Sequence, residues 1–313
     1  MKGIFKKIGA ICLIIVMFTS IPVSCTSPTE SLPSSPTEIT DQLGRTVKVE
    51  ATPQRIISLA PSHTETLYAL GLADRLIAVT DYCNYPAEAE DKPSIGGFST
   101  PNIEEVVALS PDLVLATVIH ETEVIPQLEG YGLTVVATDP KTIDEVIESI
   151  TLIGQVTGAE REAASLLDDM QSRVKAVTDK TGELSEAQKP RVLYIVWHDP
   201  LMAAGSGTLH DELMRTAGGT NVAGDVDDYA DISLEAVITA DPDVMIAGVG
   251  MGTGEDLPYQ FIKTEPRLKD TPARKNNRVH SIDVDLVGRP GPRIVDALEQ
   301  FAEFIHPELF EGK

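Results

Sequence analysis

Ile103-Glu104-Glu105-Val106-Val107-Ala108-Leu109-Ser110-Pro111-Asp112-Leu113-Val114-Leu115-Ala116 lies over Leu234-Glu235-Ala236-Val237-Ile238-Thr239-Ala240-Asp241-Pro242-Asp243-Val244-Met245-Ile246-Ala247 at a constant offset of 131 residues, without a gap. Glu, Val, Pro, Asp and Ala recur at matching places, and each copy reads as short helix, Pro-Asp turn and buried strand. One such period in a chain of 313 residues signals a duplicated lobe, because a solenoid needs at least about three repeats. Arg55-Ile56-Ile57 and Arg191-Val192-Leu193 open the two halves at nearly the same spacing.

Outward from the repeat, strands alternate with helices. Arg55 to Ala60 is a short β-rich run, followed by Pro61-Ser62-His63-Thr64-Glu65. Ser62 with Glu65 three residues later reads as a capping box for a helix that Gly71 closes. Leu76 to Thr80, Leu113 to Thr117 and Leu133 to Ala137 are further strands, and the alternation implies mainly parallel sheets covered on both faces. Between the halves, Ile143, Val146, Ile147, Ile150 and Ile153, then Ala163, Leu166, Leu167, Met170, Val174 and Val177, follow helical spacing. A helix of about 20 residues spans about 30 Å, enough to join two lobes as a strut.

Composition narrows the function. With 48 acidic against 25 basic side chains the formal net charge is -23, and no basic footprint exists for nucleic acid. At 42% hydrophobic and 23% charged residues the chain has the balance of a globular protein. Three cysteines cannot make a disulfide framework, and none is paired at zinc-ligand spacing.

The N-terminus reads as an export signal. Lys2, Lys6 and Lys7 precede the apolar run Ile8 to Phe18, and small residues follow, ending in Ser24-Cys25. Eleven apolar residues fall short of the roughly 20 that span a bilayer. Pro22-Val23-Ser24-Cys25 resembles the lipobox of bacterial lipoproteins, with Pro where Leu is usual, which implies acylation of Cys25. Thr26 to Thr37, rich in Ser, Thr and Pro, reads as a flexible tether. The expected organisation is therefore a signal peptide over 1–24, a tether over 25–38, an N-terminal lobe over 39–141, a connecting helical region over 142–181 and a C-terminal lobe over 182–313.

No complete nucleophile, base and orienting group appears, and no catalytic residue is assigned. The six histidines, His63, His120, His198, His210, His280 and His306, have no metal-ligand spacing, so no metal site is expected. His63 at a helix start is a candidate ligand donor or cap; His306, before Pro307, reads as solvated. Gly248 to Gly254 lacks the Lys-Ser/Thr of a phosphate loop. Trp197, in Tyr194-Ile195-Val196-Trp197-His198-Asp199-Pro200, stands at a predicted strand end, where open α/β sheets bind ligands. Tyr82 and Tyr85 lie among Asp, Asn and Pro and so on a loop.

Taken together, the export signal, the paired α/β lobes and the connecting helix resemble the helical-backbone class of solute-binding proteins of ABC importers, which carry cobalamin, haem or ferric siderophores. Asp41-Gln42-Leu43-Gly44-Arg45 is similar to that family's N-terminal strand, and Arg55 to Glu65 to its first strand-turn-helix. Thr80-Asp81-Tyr82-Cys83-Asn84-Tyr85-Pro86, then Gly96-Gly97-Phe98-Ser99, is most similar to the cobalamin-binding branch.

The resemblance implies one long connecting helix and a ligand cleft between the lobes. It implies Tyr82, Phe98 and Tyr229 as cleft aromatics, with Phe98 where the branch has Trp, and Asp285 and Arg289 as a polar pair of the C-lobe. It also implies Glu104 and Glu235 as acidic knobs received by the two subunits of a permease. The expected partners are that permease dimer with its ATPases, a small-molecule ligand and the membrane, the latter through the anchor. The expected protein is an extracytoplasmic monomer without a cofactor of its own. Haem and ferric siderophore stay open as ligands. Tyr82, Tyr229 or His63 would then supply an axial ligand for haem. An exported enzyme on the same scaffold stays open as a second class.

Flat apolar walls with a few placed polar groups suit a wide, rigid disc such as a corrinoid. Asp285 and Arg289, four residues apart, could bond its amide edge or pair with each other.

Overall fold

The computed structural model describes residues 36–250 and 256–310. The signal peptide, most of the tether with Cys25, and the Met251 to Gly254 part of the glycine-rich loop lie outside the described residues. No helix among the described residues is long and apolar enough to cross a membrane.

The chain begins with an antiparallel hairpin, β1 (Thr37–Thr40) and β2 (Thr46–Val49). Asp41 shapes its turn by accepting from the backbone N–H of Leu43 and Arg45, and Gly44 supplies the left-handed φ of +76°.

The N-terminal lobe follows as β3 (Ile56–Ser58), α1 (Pro61–Ala69), β4 (Leu76–Ala78), α2 (Ile103–Ala108), β5 (Leu113–Thr117), α3 (Val124–Gly130) and β6 (Val135–Thr138). Its four strands are all parallel, in the order β4-β3-β5-β6.

The connection consists of two helices, α4 (Ile143–Thr157) and α5 (Glu160–Thr181), separated at Gly158 by a left-handed turn of φ +69°. The 22 residues of α5 extend about 33 Å at 1.5 Å per residue. Helix α5 packs on α4 and also on α6 and α11 of the second lobe.

The C-terminal lobe runs β7 (Arg191–His198), β8 (Leu201–Ala204), α6 (Leu209–Thr216), β9 (Thr220–Asn221), β10 (Tyr229–Asp231), α7 (Leu234–Ala240), β11 (Val244–Val249), α8 (Leu257–Thr264), α9 (Pro272–Lys275), β12 (Val279–Asp283), α10 (Val284–Val287), α11 (Ile294–Ile305) and α12 (Pro307–Phe310). Its sheet is mixed. Strands β9, β11 and β12 join β7 in parallel fashion, and β8 and β10 extend the other edge antiparallel.

Strand alternation divides the core. Leu113 and Leu115 face one way and Val114 and Ala116 the other; Val244 and Ile246 alternate likewise with Met245 and Ala247. One set from each lobe joins a continuous core through Val146, Ile150, Met170 and Phe301 of α4, α5 and α11, while the opposite sets make a separate core in each lobe. Burying each Val, Leu, Ile, Met or Phe among these side chains contributes about 1.5–3 kcal/mol, so the connecting helices are fixed to both lobes by packing.

The repeat holds in detail. Asn102 and Ser233 cap α2 and α7 by accepting from the Glu105 and Ala236 N–H groups. Asp112 accepts from the Arg55 N–H at 2.7 Å and Asp243 from the Arg191 N–H at 2.9 Å, tying each turn to the strand that opens its lobe.

Two local readings are corrected. Ser62 is not a cap: α1 starts at Pro61, its N-cap is Ala60 with no side-chain bond, and Glu65 turns elsewhere. A proline at the first position needs no cap for its own nitrogen, which carries no hydrogen. His306 is not solvated but buried, with Nε2 3.1 Å from the Gly218 carbonyl and Nδ1 3.0 Å from Glu308.

Candidate functional site

The C-terminal ends of β3, β5, β6 and β12 converge where the two lobes face each other. Their exits supply Ala60, Pro61 and Ser62; Thr117, Val118 and Ile119; Thr138, Asp139 and Pro140; and Val284 and Asp285. Together with Tyr82, Phe98, Gly288 and Arg289 they line a cavity of about 450 Å³, within the usual range for ligand sites. Strand-end loops are free of ladder pairing and so can carry the site on a rigid sheet.

The wall is largely apolar. Tyr82, Val118 and Ile119 are 61%, 41% and 50% exposed, which is costly for apolar surface unless something covers it. Phe98 is held edge-on by His120, ring centroids 5.5 Å apart, and the His120 Nε2 lies 2.7 Å from the Phe98 carbonyl. Burial pushes the His120 imidazole below its ordinary value, so it stays neutral and donates to that carbonyl.

The cavity continues into the C-lobe. Val284 and Gly288 also line a chamber of about 380 Å³ with Tyr194, His210 and Tyr229. The Tyr229 hydroxyl lies 3.1 Å from Nδ1 of His210, whose ring packs on Tyr194. Burial pushes His210 down to about 4 and Tyr229 up to about 12, so both are neutral at pH 7 and share one hydrogen bond between ring nitrogen and phenol.

Behind the wall, charged groups tie the lobes together. The Glu65 carboxylate on α1 is almost fully buried and accepts from Arg289 Nη1 at 3.1 Å and from Arg293 Nη2 and Nε at 2.6 and 2.8 Å. Arg289 also donates to Asn84 Oδ1 at 2.7 Å and to the Tyr82 carbonyl at 3.1 Å, and pairs with Asp285 at 2.6 Å. Asn84 Nδ2 donates to Asp285 at 3.2 Å, and Arg293 stacks 3.9 Å over the Tyr85 ring. Leaving any one of these buried charges without its partner would be strongly destabilising.

Of the residues singled out by sequence, Tyr82, Phe98, Asp285 and Arg289 meet on the main cavity and Tyr229 on its C-lobe extension. Asp285 belongs to the short helix α10, its N–H held by Asp283. His63 does not line the cavity. It is buried behind Ser62 and Thr138, with Nε2 2.8 Å from the Thr138 hydroxyl, and burial together with the nearby His120 pushes it down to about 3.

Trp197 is turned onto its own loop, donating from Nε1 to the Asp199 carbonyl at 2.9 Å and packing on His198. It lines neither the main cavity nor its extension. Glu104 and Glu235 are exposed in the first turns of α2 and α7. Val118, Ile119 and Thr138 escaped sequence reading, although the strand-end rule that selected Trp197 points to them equally.

A cleft between two α/β lobes, with each lobe contributing strand-end loops, defines a two-lobed solute-binding protein. The chain belongs to the periplasmic binding protein family, whose model matches residues 56–286. It is 30% identical to an uncharacterised ABC transporter substrate-binding lipoprotein, YvrC, of Bacillus subtilis, over 98% of this chain and 99% of that one. The crystal structure of the periplasmic vitamin B12 binding protein BtuF of Vibrio cholerae superposes with a TM-score of 0.69 at 27% identity, covering 82% of this chain and 98% of that one. A periplasmic haem-binding protein from Pseudomonas aeruginosa superposes with a TM-score of 0.73 at 27% identity, covering 82% and 94%.

Proposed function

We propose that this chain is the substrate-binding component of an ABC importer, anchored outside the cell membrane by a lipid on Cys25, and that it delivers cobalamin or a related corrinoid to a permease dimer driven by ATPase subunits. On this reading it is a monomeric binding protein, not an enzyme. The observation that carries the reading is the broad apolar wall of Tyr82, Phe98, Val118 and Ile119 facing Val284 across the cleft, with few polar groups among them. Such a surface matches a rigid disc with amide edges. The names of the Bacillus and Vibrio relatives support the importer role and the ligand.

Haem is the second reading, favoured by one feature: the exposed Tyr82 on the cavity wall could serve as an axial ligand. Purified protein titrated with cyanocobalamin, haemin or a ferric siderophore, and followed by visible absorption, separates these readings. Stoichiometric cobalamin binding is expected. Indifference to cobalamin with a haem band that disappears in Tyr82→Ala would replace it by haem.

A further inference from the structure

Three charged side chains line the main cavity among the described residues, Asp139, Asp285 and Arg289. Arg289 is the sole cation among them, and its charge is already committed. Each terminal nitrogen faces two oxygens: Glu65 and Asn84 for Nη1, the Tyr82 carbonyl and Asp285 for Nη2. Arg293 is directed at Glu65 as well. At the adjoining mouth Lys141 is paired with Asp139 at 3.5 Å.

We infer that Glu65 sets the charge selectivity of the cleft: by holding Arg289 and Arg293 from behind the wall, it leaves a main cavity with carboxylates and, among the described residues that line it, no available cation. A neutral or cationic disc is accepted there, and the same disc bearing ionised carboxylates is rejected. The physical reason is desolvation. A carboxylate entering an apolar cleft gives up its water and must find a cation or several donors in exchange, and here the guanidinium has been taken by protein oxygens. Glu65 touches no ligand and acts through Arg289, so it is a positioning residue. The inference rests on the reading of the cleft as the ligand site, and it favours a neutral-edged ligand such as a corrinoid over haem with its two ionised propionates.

Charge-matched pairs test it: cyanocobalamin against its carboxylate hydrolysis product, and haemin against haemin dimethyl ester, with affinities from equilibrium dialysis. In each pair that binds, the neutral-edged member should bind about tenfold tighter or more to the wild type. In Glu65→Gln, which frees the arginines, the ratio should fall to within about threefold. Equal affinities in the wild type, or a folded Glu65→Gln protein with the wild-type ratio, overturn the inference.

If Glu65→Gln does not fold, the charge-balanced double variant Asp285→Asn, Arg289→Gln decides, since Glu65 keeps Arg293 and Asp285 is not left as an unpaired carboxylate. With no cation available at 289 the ratio stays as in the wild type, whereas selective loss of the carboxylate-bearing member shows that Arg289 was available and overturns it. Cobalamin bound without charge preference sinks this inference alone. A haemin pair bound with the preference, and cobalamin ignored, sinks the corrinoid assignment alone. Binding of neither pair overturns both.

Discussion

Ser110 and Asp241, 131 residues apart in sequence, turn the chain through the same left-handed backbone conformation, with φ of +48° and +50°. Each sits in the turn between the repeated helix and the repeated strand, where an L side chain costs about 1–2 kcal/mol. Ser110→Gly should therefore stabilise the protein by about 0.5–1 kcal/mol, the strain relieved less the added freedom of the unfolded chain. Asp241→Gly should gain less, because Asp241 also lies 3.5 Å from Arg191. Urea midpoints of the two variants check this; destabilisation by Ser110→Gly would refute the strain argument.

Tyr82 and Trp197 make a direct contrast. Tyr82 stands on the cavity wall and Trp197 folds back on its own loop. Tyr82→Ala should weaken binding of the wild-type ligand about tenfold, near 1.4 kcal/mol, and Trp197→Ala by less than about threefold. A Trp197→Ala loss as large as that of Tyr82→Ala would mean that the loop opens when ligand binds.

Glu104 and Glu235 stand exposed at equivalent helix starts, and a duplicated charge suits a two-fold partner. The double variant Glu104→Arg, Glu235→Arg should abolish uptake in cells while ligand affinity stays within about threefold. Normal uptake by that variant would remove these residues from the docking surface.

Acidification should destabilise the protein through its buried histidines. His63 is held down to about 3 and His210 to about 4 by burial, while in the unfolded chain both titrate near 6.5. The unfolded state therefore binds more protons between these values. Stability is complete above about pH 6.5 and falls as the pH drops toward 4, each histidine contributing up to about 1.4 kcal/mol per pH unit. Urea midpoints at pH 7.5, 6 and 5 should fall in that order, and His210→Gln should reduce the slope. A pH-independent midpoint over this range would contradict it.

The anchor is open to a fractionation experiment. Cys25→Ser should move the protein from membranes to the soluble fraction, since stable anchoring needs the acyl chains that this thiol would carry. Retention of the variant on membranes in high salt would exclude lipidation at this residue.

The periodic parts of the fold were legible in sequence because period and punctuation are local. The alternating strands and the 131-residue repeat with its helix, Pro-Asp turn and strand appear as expected. What escaped was long-range. Ser62 and Glu65 match a capping box by spacing, yet Glu65 binds arginines 224 and 228 residues away. His306 looks like a terminal polar residue until Gly218 closes over it. Two strand ends look alike in sequence, and only the fold shows that Val118 faces the cleft and Trp197 faces Asp199.

The repeat and the charged strap between the lobes obey different symmetries. Asn102 answers to Ser233, Ser110 to Asp241 and Asp112 to Asp243, whereas the strap joins unlike places, Glu65 on α1 to Arg289 and Arg293 at 224 and 228 residues' distance. Each contact of the first set closes within one lobe, so none of them bears on the angle between the lobes. The strap runs from one lobe to the other and helps to set that angle. A change confined to Glu65, Arg289 or Arg293 would thus alter the spacing of the cleft walls while leaving each lobe's own turns intact.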